Sequence, residues 1–194
     1  MENQADQPLD ALSSTIAALR DALEDQGVPH VFIGGVAVAA LGRPRTTRDV
    51  DALVLLRDTS IHDVLAGAKR HGIAPRIADA EAFAATHNVL LLVHETTGVT
   101  IEVALGMLPF EEEAVERARE VSLGQLRFRI PLPEDLIVMK AVAHRPQDLE
   151  DIRSIVEANP HLDRRRIMRR MEEFAEALDS PDLLSTVERL LGEG

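Results

Sequence analysis

Apolar positions along the chain follow two rhythms. Between residues 9 and 26, Leu12, Ile16, Leu19 and Leu23 recur at helical intervals until Gly27 and Pro29 end the run. Residues 28–33 then read as a strand, and 36–41 as a short alanine-rich helix broken by Gly42 and Pro44. A second strand is expected over 49–57, its ALVLL remainder apolar enough for burial on both faces. The pattern over 59–71 predicts a helix capped by Asp58 or Thr59 and closed at Gly72. A short strand at 73–77 and a helical turn at 79–86 follow. Residues 89–94 and 99–105, joined by ETTG, read as a hairpin. Segment 109–120 reads as an acidic, solvated helix, and 121–131 as a strand or hairpin turning at Gly124. The remainder is helical: one stretch opens at Pro133, another spaces Ile167, Met171, Phe174 and Leu178 over 163–178, and a last one ends at Gly192. These elements predict an α/β (α+β) chain, with a small mixed sheet flanked by helices in residues 1–131 and a helical region over 132–194.

Composition narrows the picture. A chain of 194 residues suits one domain, or a core with an appended helical part. The hydrophobic fraction is 45% but aromatics are only 3%, so the core must be aliphatic, and only five Phe are available for base stacking. Acidic residues outnumber Lys and Arg by 33 to 21, a formal charge of −12. That balance opposes general nucleic-acid binding, leaving RNA only a local basic patch such as DRRRIMRR, with Arg164, Arg165, Arg166, Arg169 and Arg170. Cysteine is absent, which removes disulfide and thiolate chemistry. Without a long apolar segment or a signal-peptide pattern, a soluble cytoplasmic protein with no membrane partner is expected. No Gly-x-x-x-x-Gly-Lys loop, Gly-x-Gly-x-x-Gly fingerprint, His-Glu-x-x-His pair or Gly-x-Ser-x-Gly elbow is present.

The chemistry concentrates in VFIGGVAVAALGRPRTTRDVDALVLL. Asp49 and Asp51 stand two apart on a strand, so they share a face, about 7 Å apart along the chain. Half-buried carboxylates so placed repel unless something positive joins them, and a hard divalent cation takes oxygen ligands of this kind together with substrate phosphates. Upstream, Gly34 and Gly35 let a backbone come close to a phosphate at the start of a helix, where anions are favoured. Arg43, Arg45 and Arg48 crowd the turn before the aspartates, either as a solvated loop or as a phosphate contact. Glu102 is a lone charge in an apolar strand, and so is either a carboxylate at a solvent-facing edge or a third acid beside the aspartate pair.

In order, Gly34-Gly35, Arg45, Thr47, Asp49 and Asp51 resemble the signature of the DNA polymerase β-type nucleotidyltransferase superfamily, and most of all its bacterial AbiEii/AbiGii-type toxin members. The resemblance implies a nucleotidyltransferase fold and assigns Gly34, Gly35, Arg45 and Thr47 to nucleotide binding. It makes Asp49, Asp51 and Glu102 the catalytic and metal-binding carboxylates, although the family usually has aspartate where this chain has Glu102. A second block, KAVAHRPQDLEDI, resembles one in the same toxins. On that likeness Lys140 contacts the triphosphate with Arg145, and Asp148 supports the site or holds Arg145; Asp151 reads as structural.

The implied reaction is transfer of a nucleoside monophosphate from an NTP to an acceptor hydroxyl of tRNA or protein. Two Mg²⁺ ions would lie roughly 3.5–4 Å apart, and a cognate antitoxin would be a partner. Two other readings stay open: a catalytically silent member that binds a nucleotide or a partner, and a nucleotidyltransferase acting on a small molecule of the aminoglycoside type.

Overall fold

The alternation of apolar and polar residues sorts the main sheet into a covered face and an open one. The computed structural model describes residues 7–43 and 47–192. The chain divides into two compact units, Met1–Val36 with Thr46–Ile130 and Ala37–Arg45 with Pro131–Gly194.

In the first unit, α1 (Gln7–Glu24) leads to β1 (His30–Phe32), α2 (Gly34–Leu41) begins, and β2 (Asp49–Val54) follows. Next come α3 (Ile61–Arg70), β3 (Ile73–Pro75), α4 (Ala80–His87), β4 (Val89–His94) and β5 (Thr100–Leu105). The five strands form one sheet ordered β1-β2-β5-β4-β3, in which only β2 and β5 are parallel. Val50, Ile101, Val103, Leu90, Leu92 and Ile73 are buried on one face. Helix α1 closes that face with Ile16, Leu19 and Leu23, and Thr15 Oγ1 lies 3.0 Å from His94 Nδ1. On the other face Asp49, Thr100 and Glu102 and their neighbours Val89, Leu91 and Val93 keep exposure, half-buried or more. The unit finishes with α5 (Pro109–Glu116), β6 (Arg119–Leu123) and β7 (Leu126–Ile130), the last two forming a separate two-stranded sheet. Phe128 of β7 meets Phe32 edge-on at 5.5 Å, an aromatic contact in a core built mainly of aliphatic side chains.

The second unit joins the later part of α2 to α6 (Pro133–Ala143), α7 (Pro146–Ala158), α8 (Arg164–Ala177) and α9 (Asp182–Gly192). Asn159 Nδ2 donates to the Leu41 carbonyl at 2.7 Å, and Ser154 Oγ accepts the Arg43 N–H at 2.6 Å; both bonds take up backbone groups at the end of α2.

The expected mixed sheet with flanking helices is present, nine helices among the described residues. Several bounds differ for physical reasons. The cap of α3 is Ser60, whose Oγ accepts from the Asp63 N–H at 3.1 Å while the Asp63 carboxylate returns to Ser60; this reciprocal box displaces Asp58 and Thr59. β2 stops at Val54 rather than 57, and Arg57 adopts a positive φ of 48°. α5 is not wholly solvated, because Phe110, Ala114 and Val115 turn inward. No helix among the described residues is long and apolar enough to cross a membrane.

Candidate functional site

The open sheet face gathers the acids that the sequence singled out. Asp49 and Asp51 both point to it from β2, and the parallel register sets Asp51 opposite Glu102 on β5. Asp49 is exposed, and Thr47 Oγ1 donates to its Oδ1 at 2.9 Å. Beside Asp51 the chain turns into α2. The Ile33 N–H bonds the Asp51 carbonyl at 2.9 Å, and Gly34 follows with φ +58°. A Cβ on Gly34 would stand 1.8 Å from Asp51 Oδ2. Both the backbone angle and the space therefore require glycine here, and they bring the start of α2 directly against a carboxylate. Gly35 is the next residue of α2. Arg45 lies outside the described residues.

Glu102 shares the face with the aspartates, but its carboxylate turns the other way: Arg76 Nη2 donates to Glu102 Oε1 at 3.1 Å. Among the described residues no three His, Asp or Glu side chains converge closely enough to hold a metal ion. The donor set nevertheless suits a hard cation, since it offers anionic oxygens from two neighbouring strands on a face that water reaches. Sequence reasoning passed over Arg76. It follows a three-residue strand, and only the sheet order β5-β4-β3 brings it near Glu102.

The second block lies in the second unit and is built differently. Lys140 is buried in α6, its Nζ 2.9 Å from Asp148 Oδ1 and 2.8 Å from Asp151 Oδ2. Asp148, fully buried, also accepts from Arg145 Nε at 2.7 Å and Nη2 at 3.1 Å, while 71% of the Arg145 side chain is exposed. Burial alone would lift the Asp148 carboxyl, but the bonds from Arg145 and Lys140 outweigh it and hold the group below its ordinary range. Lys140 thus ties two buried acids, one of which fixes an exposed guanidinium.

The arginine run on α8 is not a uniform basic face. Arg166 turns inward to Asp135 at 2.9 Å and is buried, while Arg170 pairs with Glu173 at 2.7 Å. The patch expected from DRRRIMRR therefore loses Arg166 to the interior.

Residues 12–187 match a family described as "Nucleotidyl transferase of unknown function (DUF2204)". No curated protein sequence matches the chain. Among solved structures, the antibiotic-resistance factor ANT(2'')-Ia in solution resembles it with a TM-score of 0.59 at 14% identity, covering 88% of this chain and 95% of that one. ANT(2")-Ia in complex with adenylyl-2"-tobramycin gives 0.58 at 16% identity, over 86% of this chain and 98% of the other. An antigenic nucleotidyltransferase-like protein from Paracoccidioides brasiliensis gives 0.56 at 14% identity, over 92% and 93%. At such identities the likeness is one of fold. None of these three is described as an AbiEii/AbiGii-type toxin.

Proposed function

The chain belongs to this nucleotidyl transferase family, and from that premise we propose that it moves a nucleoside monophosphate from an NTP to an acceptor hydroxyl through Asp49, Asp51 and Glu102. One observation carries the reading: the glycine at the start of α2 leaves no room for a side chain against Asp51, so a phosphate bed and a carboxylate adjoin. The N–H groups opening α2, at Gly34 and Gly35, meet phosphate oxygens, with the helix N-terminus favouring their charge. The acceptor oxygen attacks the α-phosphorus. A new P–O bond forms, the bond to the bridging oxygen breaks, and pyrophosphate leaves with the electron pair. Glu102 takes the acceptor's proton. Thr47 holds one oxygen of Asp49 and so fixes the orientation of that carboxylate. Mg²⁺, when bound by Asp49, Asp51 and Glu102, supplies the positive charge that offsets the phosphates and the developing oxyanion.

In the second unit, Arg145 is the residue suited to meet a phosphate, its fork held from behind by Asp148. Lys140 serves it indirectly by holding Asp148.

For the acceptor, we favour a small hydroxylated molecule over RNA. The chain carries −12, and Arg166 of its basic run is buried against Asp135. A structural neighbour in complex with adenylyl-2"-tobramycin points in the same direction. Transfer to tRNA or protein, with a toxin role and an antitoxin, is the reading that the motif resemblance supports.

The test incubates the protein with each α-labelled NTP and Mg²⁺, in separate reactions with an aminoglycoside panel, total tRNA and cell extract. Label in a small molecule supports the favoured acceptor, and label in tRNA or protein the toxin reading. No label anywhere, with nucleotide still bound, leaves a silent member of the fold. D49A/D51A must abolish transfer with the fold intact; surviving transfer refutes the site.

A further inference from the structure

The register aligns four residues in one row across the open face. Asp51 pairs with Glu102, Glu102 pairs with Leu91, and the Arg76 N–H bonds the Leu91 carbonyl at 2.9 Å. Adjacent strands lie about 4.8 Å apart, so Glu102 stands one strand from Asp51 and two from Arg76. Its three-bond side chain can swing to either side. In this structure it crosses Leu91 to reach Arg76 at 3.1 Å. The choice follows from charge: beside Asp51 the Glu102 carboxylate meets a like charge, while Arg76 offers an opposite one.

We propose that Arg76 is a latch on Glu102, parking the third carboxylate until a divalent cation draws it to the aspartates. The inference rests on the reading above, in which Glu102 joins Asp49 and Asp51 around a cation. Arg76 is then a positioning residue that sets how readily the acids close. Glutamate favours the swing, since an aspartate at 102 is one methylene shorter and reaches less far across the Leu91 row towards the guanidinium. Half of the Glu102 side chain and a third of that of Arg76 are exposed, so the pair is weak enough to open.

The test is Mn²⁺ binding to the full chain without nucleotide, followed by electron paramagnetic resonance of the free ion. R76Q is expected to bind Mn²⁺ about 2–5-fold tighter than the parent, the range an exposed ion pair spans. R76K, which keeps the charge, should return affinity towards the parent's. In an E102A background the R76Q change should have no effect, because the latch then has nothing to hold. E102D gives a second route should R76Q fold poorly: it should bind at least as tightly as the parent. Equal tightening by R76Q with and without Glu102 would mean a general charge effect and overturn the latch. Unchanged Mn²⁺ affinity in R76Q, with binding still dependent on Asp49 and Asp51, overturns the latch alone and leaves the transfer reading standing. Affinity unaffected by D49N/D51N removes the cation site and the latch with it.

Discussion

The two acid clusters of this chain differ in almost everything except their residue types. Asp49, Asp51 and Glu102 lie on an open sheet face beside a glycine turn; Asp49 and Glu102, touched by a hydroxyl and a guanidinium, are exposed, and Asp51 is half-buried. Asp148 and Asp151 are buried, and both bond to one buried lysine. A buried carboxylate survives only with a matched partner, and once matched it has little capacity for a ligand. Acids on an open sheet face keep water as a competing partner, so an added cation can reach them without displacing a buried ion pair. On the proposed reading, the contrast suits the first cluster to an added cation and the second to holding its own lysine and arginine, although the sequence motifs present both as parts of one signature.

The comparison breaks most visibly at Lys140. Lys140→Ala leaves two buried carboxylates without their shared cation and should cost about 3–5 kcal/mol. At roughly 2–4 °C per kcal/mol for a chain of this size, the melting temperature should fall by about 10 °C in a calorimetric scan. A fall of a degree or less would mean that the ammonium is not structural.

Gly34→Ala probes the opposite cluster. The added methyl meets Asp51 Oδ2, and the residue must hold φ +58°. Stability should drop by the about 1–2 kcal/mol that a left-handed backbone costs, and further because Asp51 must move aside for the methyl. Transfer rate should fall about 100-fold, since displacing a reacting group by an ångström has that effect. Parent-like kinetics would detach the glycine turn from the chemistry.

Acidification gives the smallest effects. Burial pushes the His30 and His94 imidazoles below their ordinary value, against smaller raising contributions from the Val28 carbonyl bond at His30 and from Glu95 at His94. The unfolded chain then binds protons near pH 6.5 that the folded one refuses, so stability should decline as pH drops through and below that point. Asp148 behaves oppositely in origin. Its lowered folded pKa gives stability that is complete above about pH 3.9 and lost as pH falls through the folded value. Urea melts of the parent, H94Q and D148N between pH 3 and 7 separate the two ranges, with D148N flatter at the acid end and H94Q flatter near neutrality.

Much of the first unit was legible because its signals are local. The β4–β5 hairpin follows from two apolar runs joined by ETTG, and the helix-opening turn from Gly34-Gly35. Neighbouring Asp49 and Asp51 share a face by strand geometry alone. What was hidden depends on pairs distant in sequence. Arg76 reaches Glu102 across 26 positions and Arg166 reaches Asp135 across 31, and only sheet order and helix packing create these contacts. Lys140 did leave a trace, as a single charge inside LIVMKAVA. A lysine among apolar helix residues signals a buried ion pair as readily as a phosphate contact, and the structure shows that Lys140 makes the ion pair.

The central claim is tested most directly by pyrophosphate release from Asp51→Asn measured beside Asp151→Asn, each at a temperature where its own melt shows it folded. The account expects Asp51→Asn to melt with the parent and release no pyrophosphate above background. Asp151→Asn should melt lower yet turn over when folded. Release at the parent's rate from Asp51→Asn, with silence from folded Asp151→Asn, would contradict the account and exchange the roles of the two clusters.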